Sequence, residues 1–145
     1  MSTQPLILMV EDDTNDALLV LQTLKQASVA HQVQVVPDGQ TALAYLSGLG
    51  IYGDREKFPL PALVLLDLKM PGIDGFEVLA WVRQQPQFKD LRVVVLTSST
   101  DGQDLNKAYR LGANSFLLKP FERENVETLF SILNARQIWC EGFMV

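Results

Sequence analysis

The sequence predicts an α/β fold: a doubly wound, five-stranded parallel sheet in the order 2-1-3-4-5 with helices on both faces. Three observations carry this reading. Five apolar runs of strand length alternate with segments whose apolar residues recur at helical spacing. Four of those runs are unbroken, which suits parallel strands covered on both faces. The connections are mostly short, and 2-1-3-4-5 is the common solution for five such units.

Leu6-Ile7-Leu8-Met9-Val10 is the first run and stops at Glu11-Asp12-Asp13. Thr14 to Gln26 then carries Ala17, Leu18, Leu21 and Leu24 at helical spacing. Val33, Val35 and Val36 form a second strand, polar enough for a sheet edge and closed by the turn signal Pro37-Asp38-Gly39. Asp38 is placed to cap a helix bearing Ala42, Leu43 and Leu46. Gly48 to Pro61, with three glycines, two prolines and four charges, reads as a loop.

Ala62-Leu63-Val64-Leu65-Leu66 is the third strand and runs straight into Asp67. Gly72 and Gly75 break the chain before a helix with Phe76, Leu79, Ala80 and Val82, which should stop before Pro86. Asp74 is expected to shape that turn. Val93-Val94-Val95-Leu96 is the fourth strand and leads into Thr97-Ser98-Ser99. Leu105, Ala108, Tyr109 and Leu111 mark the fourth helix, with Gly112 as its stop. Phe116-Leu117-Leu118 is a short fifth strand ending at Lys119-Pro120, and Val126, Leu129, Phe130 and Leu133 mark the fifth helix.

Composition bounds the function. The 145 residues are 48% hydrophobic and 20% charged, so one globular domain is expected, over residues 1–137, with an apolar tail at 138–145. Twelve basic against seventeen acidic residues give a net charge of −5, which argues against a nucleic-acid surface. One cysteine, Cys140, excludes a disulfide framework, and one histidine, His31, excludes a multi-histidine metal site. Cys140 reads as a passive tail residue, and His31 lies before an edge strand, far from the strand-end acids. No apolar run is long enough for a membrane helix, and the N-terminus lacks a signal-peptide pattern, so the expected compartment is the cytoplasm.

In open parallel sheets, ligands bind beyond the carboxyl ends of the strands. Glu11, Asp12 and Asp13 follow the first strand, Asp67 the third, Thr97 and Ser98 the fourth, and Lys119 the fifth. The strand order makes these strands neighbours, so the carboxylates lie together with a hydroxyl and an ammonium beyond them. Converging carboxylates raise one another's pKa, and a hard divalent cation removes that cost. Mg²⁺ fits best, because it takes oxygen ligands and bridges carboxylate to phosphate oxygens. Asp67 is then a candidate nucleophile toward a phosphoryl group, with Thr97 and Lys119 to spread over the phosphoryl oxygens. Asp13 reads as a helix cap, and Ser98 and Ser99 as a polar turn.

Four segments together resemble the receiver domains of two-component response regulators. They are Val10-Glu11-Asp12-Asp13, Leu65-Leu66-Asp67-Leu68-Lys69-Met70-Pro71-Gly72-Ile73-Asp74-Gly75, Leu96-Thr97-Ser98, and Phe116-Leu117-Leu118-Lys119-Pro120-Phe121. The resemblance covers roughly Leu6 to Leu133. It implies a flavodoxin-like fold and a switch rather than an enzyme. Asp67 would be the phosphoacceptor. Glu11, Asp12, Asp67 and the backbone carbonyl of Lys69 would be the Mg²⁺ ligands. Thr97 would be the switch hydroxyl, and Lys119 the partner of the phosphoryl oxygens. Phe116 stands at the family's switch aromatic and equally suits the core; without a hydroxyl, it can signal only by rotamer packing. Lys119-Pro120 matches the family's cis peptide.

Rival chemistries on this fold lack their residues. A haloacid-dehalogenase-like phosphatase needs a second acid two residues after its aspartate, where Lys69 stands. An FMN site needs a hydroxyl- and glycine-rich loop where Glu11-Asp12-Asp13 stands, and no dinucleotide or nucleoside-triphosphate loop is present. A receiver serving as an unphosphorylated scaffold is the remaining rival. The nine residues after the last helical segment are too few for a DNA-binding output domain, so the expected output is contact with a downstream protein target. The expected phosphoryl donor is a histidine kinase or phosphotransfer protein. The Gly48–Pro61 loop resembles regulators that partner phytochrome-type and hybrid kinases. The apolar tail suggests a homodimer through the fourth helix, fifth strand, fifth helix and tail.

Overall fold

The computed structural model describes residues 5–27 and 32–138, with side chains through residue 133. His31, Cys140 and the tail after Ile138 lie outside the described residues. Ten main elements alternate: β1 (Leu6–Val10), α1 (Thr14–Gln26), β2 (Gln32–Val36), α2 (Gly39–Ser47), β3 (Leu63–Leu66), α3 (Gly75–Gln84), β4 (Arg92–Thr97), α4 (Gly102–Arg110), β5 (Ser115–Leu118) and α5 (Arg123–Ile138). All pairings are parallel and the sheet order is β2-β1-β3-β4-β5, as expected from the sequence.

The unbroken apolar runs divide by the two-residue period of a strand. Leu8, Val10, Val64, Leu66, Val93 and Val95 face a core built with Tyr45, Leu46, Val78, Leu79 and Ala108, under α2, α3 and α4. Ile7, Met9, Leu63, Leu65, Val94 and Leu96 face a second core with Val20, Leu24, Val126 and Leu129, under α1 and α5. The edge strand β2 is the exception: its first four residues are not buried. No helix among the described residues is long and apolar enough to cross a membrane.

Aspartates start four helices. Asp13 caps α1 by accepting from the backbone N–H of Asn15 and Asp16, and Asp38 caps α2 through Thr41. Asp101 caps α4 through Gln103. Asp74 does more than shape a turn. It caps α3 in a capping box, with its carboxylate accepting from Glu77 N–H and the Glu77 carboxylate accepting from Asp74 N–H.

The Gly48–Pro61 segment is more ordered than a plain loop. It contains a 3-10 turn at Gly50–Gly53. Arg55 donates to the carbonyls of Tyr45 (2.9 Å), Leu46 (3.0 Å) and Phe58 (3.1 Å), so it closes the C-terminal end of α2. The Tyr45 hydroxyl donates to Pro59 O at 2.8 Å, and the rings of Tyr45, Tyr52 and Phe58 pack together.

Candidate functional site

Parallel register builds the site. Val10 pairs with Leu66, so the residues that follow, Glu11 and Asp67, emerge side by side at the carboxyl ends of β1 and β3. Their backbones are fixed by the continuing ladder: Glu11 N–H donates to Val36 O and Asp67 N–H to Val10 O, each at 3.1 Å. A glycine is required at the start of α3. A Cβ on Gly75 would stand 2.3 Å from Asp67 O and 2.7 Å from Leu68 Cα, so only glycine lets α3 approach the end of β3 this closely.

One carboxylate oxygen from each of Glu11, Asp12 and Asp67 lies within 4.8 Å of the others. Glu11 and Asp67 are buried, at 4% and 6% exposure, whereas Asp12 is exposed. Burial pushes the Asp67 carboxyl up to about 7, and the charges of Glu11 and Asp12 add to the push. Lys119 and the Lys69 backbone N–H, which donates to Asp67, oppose it. An all-oxygen, anionic donor set with an open side suits a hard divalent cation, so the residues present fit such a metal.

Lys119 stands one residue past β5, its N–H donating to Thr97 O at 2.8 Å. Its Nζ reaches Asp16 Oδ2 at 2.8 Å, Glu11 Oε1 at 3.0 Å and Asp67 Oδ1 at 3.6 Å. Burial works against the ammonium charge, but the bonds to Asp16 and Glu11 and the charge of Asp67 outweigh it and hold its pKa above the ordinary lysine range. Thr97 is fully buried, and its Oγ1 accepts from Ser99 N–H at 3.0 Å. Phe116 is half-buried, its ring edge-on to Tyr109 with centroids 5.7 Å apart. The Lys119-Pro120 bond is cis.

The structure thus brings Glu11, Asp12, Asp67 and Lys119 together, with Thr97 at the adjoining strand end and Phe116 at a neighbouring surface. Sequence reasoning overlooked three polar residues. Asp16 bonds Lys119. Ser99, taken for a plain turn residue, donates its hydroxyl to Asp104 Oδ2 at 2.8 Å. Asp104 in turn holds the Lys69 ammonium at 3.1 Å. Asp16 and Asp104 both sit in first turns of helices, where acids are expected for the helix dipole alone, so neither carried a distinguishing signal.

The model of the response regulator receiver domain family matches residues 7–131. Response regulator Rcp1 of Synechocystis sp. is 39% identical over 136 residues, covering 93% of this chain and 88% of that protein. The crystal structure of its Mn²⁺-bound form superposes with a TM-score of 0.73 at 36% identity, over 95% of this chain and 96% of that one. The bacteriophytochrome response regulator AtBRR gives a TM-score of 0.80 at 40% identity, over 91% and 94%. The phosphorylated cyanobacterial phytochrome response regulator RcpA gives 0.75 at 34% identity, over 97% and 96%. With sequence match, sheet order and an acidic strand-end cluster all in agreement, the chain belongs to the response regulator receiver domains, the switches of two-component signalling.

Proposed function

We propose that Asp67 accepts a phosphoryl group from the phosphohistidine of a histidine kinase or phosphotransfer protein, and that the phosphorylated chain signals by contact with another protein. The observation that carries this reading is the convergence on Asp67: a buried strand-end carboxylate beside two other acids, with the Lys119 ammonium 3.6 Å away. Glu11, Asp12, Asp67 and the backbone carbonyl of Lys69 would hold Mg²⁺, which when bound neutralises the crowded carboxylates and the incoming phosphoryl oxygens. That the relative Rcp1 takes a Mn²⁺-bound form supports a divalent ion for this chain, and the cluster of Glu11, Asp12 and Asp67 is where its residues could hold one.

In the transfer, an Asp67 carboxylate oxygen forms a bond to phosphorus as the P–N bond of the donor breaks. The imidazole nitrogen leaves with the electron pair. Lys119 offers its ammonium to the phosphoryl oxygens, and the Thr97 hydroxyl leaves Ser99 N–H to donate to them. Thr97 is fully buried, so its departure opens space toward which Phe116 can turn. The added charge of about −1.5 to −2 biases a two-state equilibrium of the α4–β5–α5 surface.

The unit that switches is residues 1–137, with 138–145 as an appended tail, acting in the cytoplasm. It turns over no substrate of its own, since Lys69 stands where a phosphatase of this fold would need its second acid. Of the two donor types, phytochrome-type and hybrid kinases, the names of AtBRR and RcpA support the phytochrome type. Exposed Tyr109 and Leu118, on α4 and β5, support a homodimer through α4, β5, α5 and the tail. Sedimentation of the phosphorylated and unphosphorylated protein should show a dimer, and a monomer in both states at high concentration refutes that part.

The phosphoacceptor is tested by intact mass after incubation with Mg²⁺ and acetyl phosphate. One phosphoryl group should be gained, and the gain should disappear with EDTA or in Asp67→Asn. No gain in folded protein favours a scaffold that is not phosphorylated.

A further inference from the structure

The phosphoryl chemistry above leaves one contact of the site unused. The shortest bond of the Lys119 ammonium runs neither to Asp67 nor to Glu11. It runs to Asp16 in the first turn of α1, at 2.8 Å. Asp67, at 3.6 Å, is beyond ordinary hydrogen-bond length. We infer that Asp16 is a positioning residue that parks the Lys119 ammonium on the α1 side of the site and competes for it with an incoming phosphoryl group. The inference rests on Asp67 being the phosphoacceptor.

Three features favour this role. First, Asp16 is not the cap of α1. Asp13 is, and it accepts from the backbone N–H of Asp16 itself at 3.1 Å. The Asp16 carboxylate is left for Lys119, and its place in the first turn, at the positive end of the helix dipole, favours the anion that an ammonium needs. Second, the two carboxylates that bond Lys119 differ in access to water. The Glu11 side chain is 2% exposed, and that of Asp16 is 38% exposed. If the ammonium turns away, Asp16 regains water, whereas Glu11 is shielded from water and in the metal-free site keeps only the Asp13 N–H at 3.1 Å. The Asp16 bond is therefore the one that can be exchanged. Third, Asp16 lies on α1 while Asp67 follows β3, so the bond to Asp16 and the charge of Asp67 draw the ammonium toward different elements. Glu11 serves as the fixed pivot between them.

The test measures binding of trifluoroberyllate, an inert phosphoryl analogue, with Mg²⁺ by calorimetry. Asp16→Asn should bind it about two- to fivefold more tightly than wild type, the range expected for a half-exposed ion pair. Asp16→Glu, which restores the charge, should return toward wild type. Asp13→Ser removes the same charge from the same helix end but keeps the cap, so it should shift binding by less than twofold. A spectroscopic reading separates positioning from a structural effect. In the free protein, the NMR signal of the Lys119 ammonium should move in Asp16→Asn toward its position in trifluoroberyllate-bound wild type. Should Asp16→Asn not fold, Asp16→Ser is the second neutral variant, with the same expectations.

Unchanged or weaker binding in the neutral variant overturns the inference. So does an equal gain in Asp13→Ser, or an unmoved Lys119 signal. Those outcomes leave the function reading intact, because wild type still binds the analogue. If wild type itself binds none, the function reading falls and this inference falls with it.

Discussion

The two ends of the sheet both hold partly buried cations, and they hold them differently. At the carboxyl end of the strands, Lys119 is surrounded by carboxylates: Asp16, Glu11 and Asp67. At the opposite end, Arg83 donates to the carbonyl oxygens of Gly112, Phe88 and Lys89 and to Asn114 Oδ1, and Arg55 donates to those of Tyr45, Leu46 and Phe58. A guanidinium fork among backbone carbonyls has a fixed geometry and no ionisable partner in that set, so it acts as a permanent fastener. An ammonium among carboxylates can change partners when a new anion arrives. The ammonium among carboxylates suits a switch, and the guanidinium among carbonyls suits the frame that holds it.

One substitution at each end should separate the two roles. Asp67→Asn should abolish phosphoryl uptake in the mass measurement above, and Arg83→Ala should leave uptake by the folded fraction near wild type. Loss of uptake in Arg83→Ala would mean that the two ends are not separable. In denaturant unfolding the order reverses. Arg83→Ala should cost about 1–2 kcal/mol, because part-buried carbonyls of Gly112 and Phe88 lose their donor. Metal-free Asp67→Asn at pH 8 should instead gain on the order of 1 kcal/mol, because it removes one of the buried like charges.

A further effect concerns pH. With its folded-state pKa near 7, above the ordinary 3.8, Asp67 keeps a proton in the folded protein that the unfolded chain has already lost over that interval. Its contribution to metal-free stability therefore declines as pH rises from about 4 to 7, and levels off above 7. Mg²⁺ needs the ionised carboxylate, so its affinity should rise across the same window, with proton release on binding. Thermal melts with and without Mg²⁺ between pH 5 and 8 check both signs. A Mg²⁺ stabilisation that does not grow with pH, or that persists unchanged in Asp67→Asn, would remove Asp67 from the metal site.

Much of this was legible in the chain. Strands β1, β3, β4 and β5 end where an apolar run meets a charge or hydroxyl, and the aspartates before α1 and α2 stand at the expected cap positions, whereas the cap of α4 was not anticipated. Glu11, Asp12, Asp67, Thr97 and Lys119 were recognisable because strand ends collect ligand groups in this class of sheet. The fastening role of Arg55 was not legible, because a charge in a glycine- and proline-rich segment looks like any solvated loop charge. The link from Ser99 through Asp104 to Lys69 was hidden for a related reason: its members come from the β4–α4 turn, α4 and the β3–α3 turn, and no local spacing joins them.

The sequence by itself determined the alternation of elements, the parallel sheet and the identity of the groups at its carboxyl edge. These follow from local patterning, whose period a single segment contains. Only the tertiary structure decided which anion holds Lys119, how far that ammonium sits from Asp67, and how strongly burial raises the Asp67 pKa. Those quantities depend on distances and on exclusion of water, and both are set by packing between segments that lie far apart in the chain.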